Sequence, residues 1–320
     1  MNIRNRSATL LLATLAASFI DASPATAQIV YADNFDIDSS LGYTITADAD
    51  TNATFAFNYA PLGIPSAPNS VGGTTLGLKL EANNGDDTGA TAALSLAPLG
   101  RSFAGDFTIR FDMWINANGP FPGGGIGSTQ FVTAGVGTAG MTVHRSTSFA
   151  DGTWFAVDGE GGSGIDYRIH FDTALQGAAS GLYVAGTEDA DNFYYTGAFP
   201  GEAPPLQQQN DFPQQQFGNV KPGAVGFVWR QVEIAKTGTR VTWLIDGLAI
   251  ADVPAGSFSG DNFFIGYWDH FASISDNPAL TFGLIDNLRV IQPVPEPGTC
   301  IFLAAGASAG LCFRRKRTAR

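Results

Sequence analysis

Apolar and polar residues alternate repeatedly through the middle of the chain, with the two-residue period of β-strands. Phe107, Ile109, Phe111, Met113 and Ile115 interleave with Thr108, Arg110, Asp112 and Trp114. Ile165, Tyr167, Ile169 and Phe171 interleave with Asp166, Arg168 and His170. Val232 and Ile234 lead to the turn Lys236-Thr237-Gly238, and Val241, Trp243 and Ile245 follow it, which is a hairpin pattern. Asp246-Gly247 supplies a second turn, since this dipeptide tolerates positive φ. Helix signals are scarce between Gln28 and Gln292, glycines and prolines punctuate the strand runs, and no fixed-period repeat is present. The pattern predicts an all-β fold, an antiparallel sandwich or barrel. Residues 197–223 break it, with prolines at 200, 204, 205 and 213 and glutamine clusters at 207–209 and 214–216. They read as a long surface loop.

The two ends follow other rules. Arg4 and Arg6 precede a short apolar run from Leu10 to Ile20, and Ala25-Thr26-Ala27 then offers small residues before Gln28. That order is a secretory signal helix with cleavage at Ala25 and Ala27, because the run is too short to span a bilayer and Asp21 interrupts it. At the other end, Pro295-Glu296-Pro297 precedes an apolar stretch from Thr299 to Phe313 and the basic cluster Arg314, Arg315, Lys316 and Arg317. As a helix that stretch reaches about 22 Å, short of the roughly 30 Å hydrocarbon core. The basic cluster is a membrane stop on the cytoplasmic side. A short transmembrane helix of this kind suits a transient hold. The chain therefore divides into a signal peptide (1–27), a β-sandwich domain (28–292) and a tail (293–320).

Charge narrows the partners. Seven of the 17 basic residues and two of the 29 acidic ones lie in the ends, which leaves ten basic against 27 acidic residues between 28 and 292. Such a surface repels phosphate backbones, so no nucleic acid is expected as a partner, and it attracts divalent cations. Both cysteines, Cys300 and Cys312, fall in the tail. The domain is thus no disulfide scaffold, thiol enzyme or cysteine-ligated zinc protein.

The tail, with its Pro295-Glu296-Pro297 motif, apolar run and basic end in that order, resembles the PEP-CTERM sorting signal. The resemblance implies an exosortase-type membrane peptidase as partner and removal of the tail. It also implies transient residence in the inner membrane and delivery to the envelope, surface or matrix of a Gram-negative-type bacterium. The stretch WRQVEIAKTGTRVTWLIDGLAIADV (229–253) resembles the late hairpin of concanavalin A-like, laminin-G-like jelly rolls. The opening VYADNFD and closing FGLIDNLRVI are similar to the paired first and last strands of such domains. This likeness implies an antiparallel β-sandwich and the associations of that group: glycan binding, calcium and, in some branches, glycoside hydrolysis.

The residues offer limited chemistry. Glycan hydrolysis needs two carboxyl groups across the scissile bond, and no E-x-D-x-x-E spacing is present. There is no H-E-x-x-H and no G-x-S-x-G elbow, and the glycine-rich DGEGGSG (158–164), which contains Glu160, reads as a hairpin turn. Asp33 lies in the phase of Ile29, Tyr31 and Phe35, and Asp286 in the phase of Phe282, Leu284, Leu288 and Val290. If the first and last strands are neighbours, the two carboxylates meet, and a calcium ion relieves their repulsion. Otherwise each caps a turn or takes backbone N–H groups. Asp48-x-Asp50-x-Asn52 starts like a calcium loop but lacks the sixth-position glycine and twelfth-position glutamate. For glycan contact, Tyr267, Trp268, Asp269 and His270 combine rings with hydrogen-bonding groups just before the last strand, and Tyr194, Tyr195 and Phe199 form a second candidate. Core packing is the competing role for such aromatic runs.

These readings converge on an exported, non-catalytic surface or matrix protein whose jelly-roll domain binds polysaccharide, with calcium as candidate ion. The alternatives are a secreted glycoside hydrolase or polysaccharide lyase, with carboxylates from separate strands, and a purely structural envelope protein.

Overall fold

The structure is a computed structural model that describes residues 27–83, 85, 91–146, 150–271 and 273–294. Gln28–Gln292 form one compact unit. The strands run, in chain order, β1 (Ala27–Asp33), β2 (Tyr43–Ala47), β3 (Thr51–Asn58), β4 (Leu76–Ala82) and β5 (Ala92–Pro98). Then come β6 (Phe107–Asn116), β7 (Phe131–Thr138), β8 (Thr153–Asp158), β9 (Tyr167–Phe171) and β10 (Ala174–Gln176). Two short helices, α1 (Phe193–Thr196) and α2 (Leu206–Asp211), precede β11 (Arg230–Thr237), β12 (Arg240–Ile245), β13 (Leu248–Val253), β14 (Asn262–Asp269) and β15 (Phe282–Pro293).

These strands form two sheets, and the strand pairs with a described register are all antiparallel. The first sheet has the order β13-β12-β11-β6-β15-β4-β3, with β1 also pairing β15; the second has the order β10-β9-β8-β7-β14-β5-β2. The expected hairpin is β11–β12, closed where Thr237 faces Arg240. The Asp246-Gly247 turn joins β12 to β13 with φ of 50° and 79° at the two residues, the positive angles this two-residue turn requires.

The inner faces pack as the period-two pattern dictates. Phe107, Ile109, Phe111, Met113 and Ile115 of the first sheet share one buried cluster with Val132, Phe155, Tyr167, Ile169 and Tyr267 of the second. Trp243 lies nearly parallel to Phe155, with ring centroids 5.0 Å apart. Burial of each such side chain contributes about 1.5–3 kcal/mol. This is a sandwich of two antiparallel sheets.

The outer faces are also covered, which the alternating pattern does not announce. On the first sheet, Trp114, Phe282 and Leu284 pack with Tyr59, Phe227 and Trp229. Residues 197–223 help to build this layer, which corrects their reading as a surface loop. Gln208 of α2 and Asn116 of β6 exchange carboxamide bonds of 2.9 and 3.1 Å. Gln216 donates to the Ala117 carbonyl at 2.9 Å. On the second sheet, Phe131, Trp154, Phe264 and Trp268 form a third buried cluster. Among the described residues no helix is long and apolar enough to cross a membrane; the expected signal and tail helices lie outside them.

Candidate functional site

Strand β9 shows how the site arises. Tyr167 and Ile169 point between the sheets, so Arg168 and His170 occupy the opposite face. That face is floored by aromatic rings. His170 stacks on Trp154 with centroids 3.9 Å apart, and the Arg168 guanidinium lies 4.5 Å from the Phe131 ring centre and 5.7 Å from that of Trp268. The chain leaving β14 adds His270 and Phe271, whose rings meet edge to face at 4.8 Å. Arg168, His170, His270 and Phe271, together with Ile165 and Leu175, line an open recess of about 610 Å³. Phe271, 49% exposed, supplies its accessible ring.

The recess carries a single positive charge at neutral pH. Burial holds the His170 imidazole down at about 3, with the Arg168 charge adding to the effect. Burial likewise lowers His270 to about 4. Both rings are therefore neutral, and both nitrogens of His170 and Nδ1 of His270 are sealed from solvent. Arg168 donates from Nε to the Ile165 carbonyl at 3.1 Å and from Nη2 to Ser163 Oγ at 3.3 Å. One cation beside an exposed phenyl ring, with no second charged residue in the lining, is suited to holding a polar ring compound.

Two constellations that carry reaction chemistry elsewhere are sealed here. Asp158, Glu160 and Asp166 are buried at and beyond the end of β8. Burial raises all three carboxyls, and Asp158 is pushed well above its ordinary range beside Asp166. Backbone N–H groups of Gly161, Ser163 and Ala190 take up oxygens of Asp158 and Asp166, and the Ser128 and Thr129 hydroxyls hold Glu160. Ser95, His144 and Asp151 form a hydrogen-bonded series, 3.1 Å from Ser95 Oγ to His144 Nδ1 and 3.2 Å from Nε2 to Asp151. Ser95 Oγ also accepts from the His144 N–H, and both residues are buried. At Asp151 burial acts upward, but bonds from His144, Ala139, Ser259 and Thr138 prevail and keep the carboxyl well below the usual range. The series ties the segment after β7 onto the sheet.

The residues singled out in the sequence distribute unevenly over this geometry. Tyr267, Trp268 and Asp269 belong to β14 and are buried, which corrects the expectation of an open aromatic shelf. Tyr267 points into the inter-sheet core and Trp268 into the floor beneath Arg168. Asp269 accepts the Phe271 N–H at 2.9 Å and so fixes the turn that presents Phe271. Of the four, His270 lines the recess. Tyr195 and Phe199 are core residues, and Tyr194 packs against the same cluster. Arg168, His170 and Phe271 escape sequence reasoning. Alternation assigns the first two to solvent, because the pattern cannot tell a wetted face from one floored by aromatics.

Asp33 and Asp286 do not meet, although β1 and β15 pair. Asp33 accepts from the Phe35 N–H, Ser39 and Tyr43, the last in the inter-sheet cluster. Asp286 accepts from Tyr59, Ser70 and the Asn287 N–H, with Tyr59 in the outer cluster. A bulge explains the difference. Register shifts after Asp286, and Asn287 has φ of 53°. This switches the strand's phase, so Phe282, Leu284 and Asp286 face outward while Leu288 and Val290 face inward. The cross-strand neighbour of Asp286 is Asp112, itself bonded by Asn69 and Asn287. Two carboxylates with separate, donor-filled surroundings do not fit one shared calcium ion. No cluster of three or more His, Cys, Asp or Glu suited to a metal occurs among the described residues.

Ala27 opens β1, whereas Ala25, Pro295, Glu296, Pro297 and the cluster Arg314, Arg315, Lys316 and Arg317 lie outside the described residues.

Solved structures similar to this chain include a protein of unknown function with a galectin-like fold from Bacillus subtilis. It is 10% identical over 84% of this chain and 97% of that one, with a TM-score of 0.42. A carbohydrate-binding module, CBM66, from Bacillus subtilis is 10% identical over 78% and 96%, with a TM-score of 0.34. The VIP36 exoplasmic/lumenal domain in a Ca²⁺/Man2-bound form is 9% identical over 84% and 88%, with a TM-score of 0.41. No curated protein matches the chain. Residues 293–317 match the PEP-CTERM protein-sorting motif, and the chain thus ends in a sorting signal of that type.

Proposed function

We propose that this is an exported glycan-binding protein of the cell surface or extracellular matrix, delivered by its sorting signal and non-catalytic in its β-sandwich domain. The observation that carries the binding reading is the recess on the outer face of the second sheet. There an exposed Phe271 ring stands beside Arg168 and two neutral imidazoles. Aromatic rings stack on the apolar faces of sugars, and a guanidinium donates to sugar oxygens. The sealed state of Asp158, Glu160 and Asp166 supports binding over hydrolysis, since a glycosidase must bring two carboxyls to its substrate.

The tail reading supports processing by an exosortase-type peptidase at the membrane, followed by release to the envelope. Asp33 and Asp286 hold no calcium ion in the binding we propose, because both are satisfied by hydrogen bonds. A glycan array probed with the full chain, in calcium and again in a chelator, tests both points. Binding to a defined glycan class in both conditions is expected. No binding in either would overturn the glycan reading, and binding lost in the chelator would restore calcium to the site.

A further inference from the structure

Two cations are buried among the described residues, Arg168 and Arg230, and they are treated differently. Arg230 pairs with Asp246 at 3.0 Å. Arg168 is 3% exposed and, among the described residues, has no carboxylate within ion-pairing distance, although 27 acidic residues lie between 28 and 292. A buried charge without a counter-ion is costly. The rings of Phe131 and Trp268 offset part of that cost, and Nε and Nη2 are bonded to neutral oxygens. Among the described residues Nη1 has no hydrogen-bond partner and, unlike the nitrogens of His170, it is not sealed from solvent.

The surroundings exclude other charges from the recess. His170 and His270 are neutral at pH 7. Burial lowers the proton affinity of the guanidinium, and the charges of Asp158 and Asp166 oppose that fall; the Gly161 N–H holds one oxygen of Asp158, and the Ser163 and Ala190 N–H groups hold the two of Asp166. The recess therefore offers one cation to a ligand, with an aromatic ring beside it.

Resting on the glycan-binding reading above, we propose that the recess selects an anionic sugar, a uronate residue whose carboxylate bonds to Arg168 while its ring lies against Phe271. A carboxylate is the group that completes an arginine fork. Because the domain's net charge repels polyanions over long range, the selection operates at contact, where the charge of Arg168 is least screened.

Calorimetric titration of the full chain in about 0.15 M salt tests the proposal. Ligands are tetrasaccharides of galacturonate, mannuronate and glucuronate, each beside its carboxyl-reduced form and a sulfated neutral tetrasaccharide. The expected result is at least about tenfold tighter binding of one uronate than of its reduced form, with that preference abolished in Arg168→Gln and partly kept in Arg168→Lys. His270→Ala, which leaves the cation in place, should weaken the acidic and reduced forms alike. Equal binding of acidic and reduced forms by the wild-type chain would overturn the uronate assignment, whatever the variants do, and leave the glycan reading standing. Preference for the sulfated sugar would also overturn it. Failure to bind any acidic or neutral sugar would remove both.

Discussion

The guanidinium of Arg168 lies 4.5 Å from the centre of the Phe131 ring, on the face of β9 that alternation assigns to solvent. That contact joins the fold to the proposed function. Phe131 belongs to β7, and Trp268, which flanks the same guanidinium, belongs to β14. The strand order β9-β8-β7-β14 brings them onto one surface. The sheet supplies a rigid floor, and the turn after β14 supplies the accessible ring.

Phe271→Ala is expected to weaken glycan binding about 2- to 10-fold, the range of an aromatic contact of roughly 0.5–1.5 kcal/mol. Its half-exposed ring supports little of the core, so the melting temperature should change little. Titration of the variant beside wild type, with a thermal melt of each, checks both parts.

Asp286 predicts a rise in stability toward acid. Burial raises its carboxyl to about 7, with Asp112 adding a smaller rise, whereas the unfolded chain loses that proton near 3.8. The folded state therefore holds the extra proton between these values, and stability declines as pH climbs from about 4 to 7. Asp286→Asn should melt higher than wild type at pH 8, and the difference should shrink toward pH 4.

His170 acts with the opposite sign. Its folded pKa of about 3 lies below the ordinary 6.5, so the unfolded state binds the proton first and stability falls as pH drops below 6.5. The slope is at most about 1.4 kcal/mol per pH unit. His170→Phe keeps a ring against Trp154 and removes the titrating group. Denaturant midpoints between pH 7 and 4 should fall less in this variant than in wild type.

Trp243→Ala should cost about 3–5 kcal/mol by leaving a cavity between the sheets. The ring is buried against Phe155 and Tyr167. Urea unfolding measures the loss, and a cost below about 1 kcal/mol would contradict the packing described.

The tail makes a separate prediction. Co-expression with an exosortase should yield a chain lacking the residues beyond the Pro295-Glu296-Pro297 motif. Glu296→Ala should leave it at full length. Intact mass distinguishes the two.

Much of this fold is legible where one face of a strand is wet and the other dry. The hairpin through Lys236-Thr237-Gly238 and the Asp246-Gly247 turn stand where their turn chemistry places them. The run from Phe107 to Ile115 points inward as its alternation requires. Legibility fails where both faces are covered. Asn262–Asp269 is buried throughout, so its Tyr267 and Trp268 offer no sequence sign of which face, if either, meets a ligand. It fails again at Asn287, where one positive φ switches the phase and moves Asp286 to the outer face. His270 is visible in the sequence because it follows a strand end; Arg168 is not, since only the sheet order sets it above Phe131.

Amide hydrogen exchange of the full chain, with and without the tightest-binding glycan from the array, locates the glycan on the domain. Binding at the recess should slow exchange in residues 163–171 and at Phe271, with the rest of the sandwich unchanged. Protection confined elsewhere, for instance to the groove formed by Pro65, Trp114, Pro205 and Trp229 on the first sheet, would contradict the account.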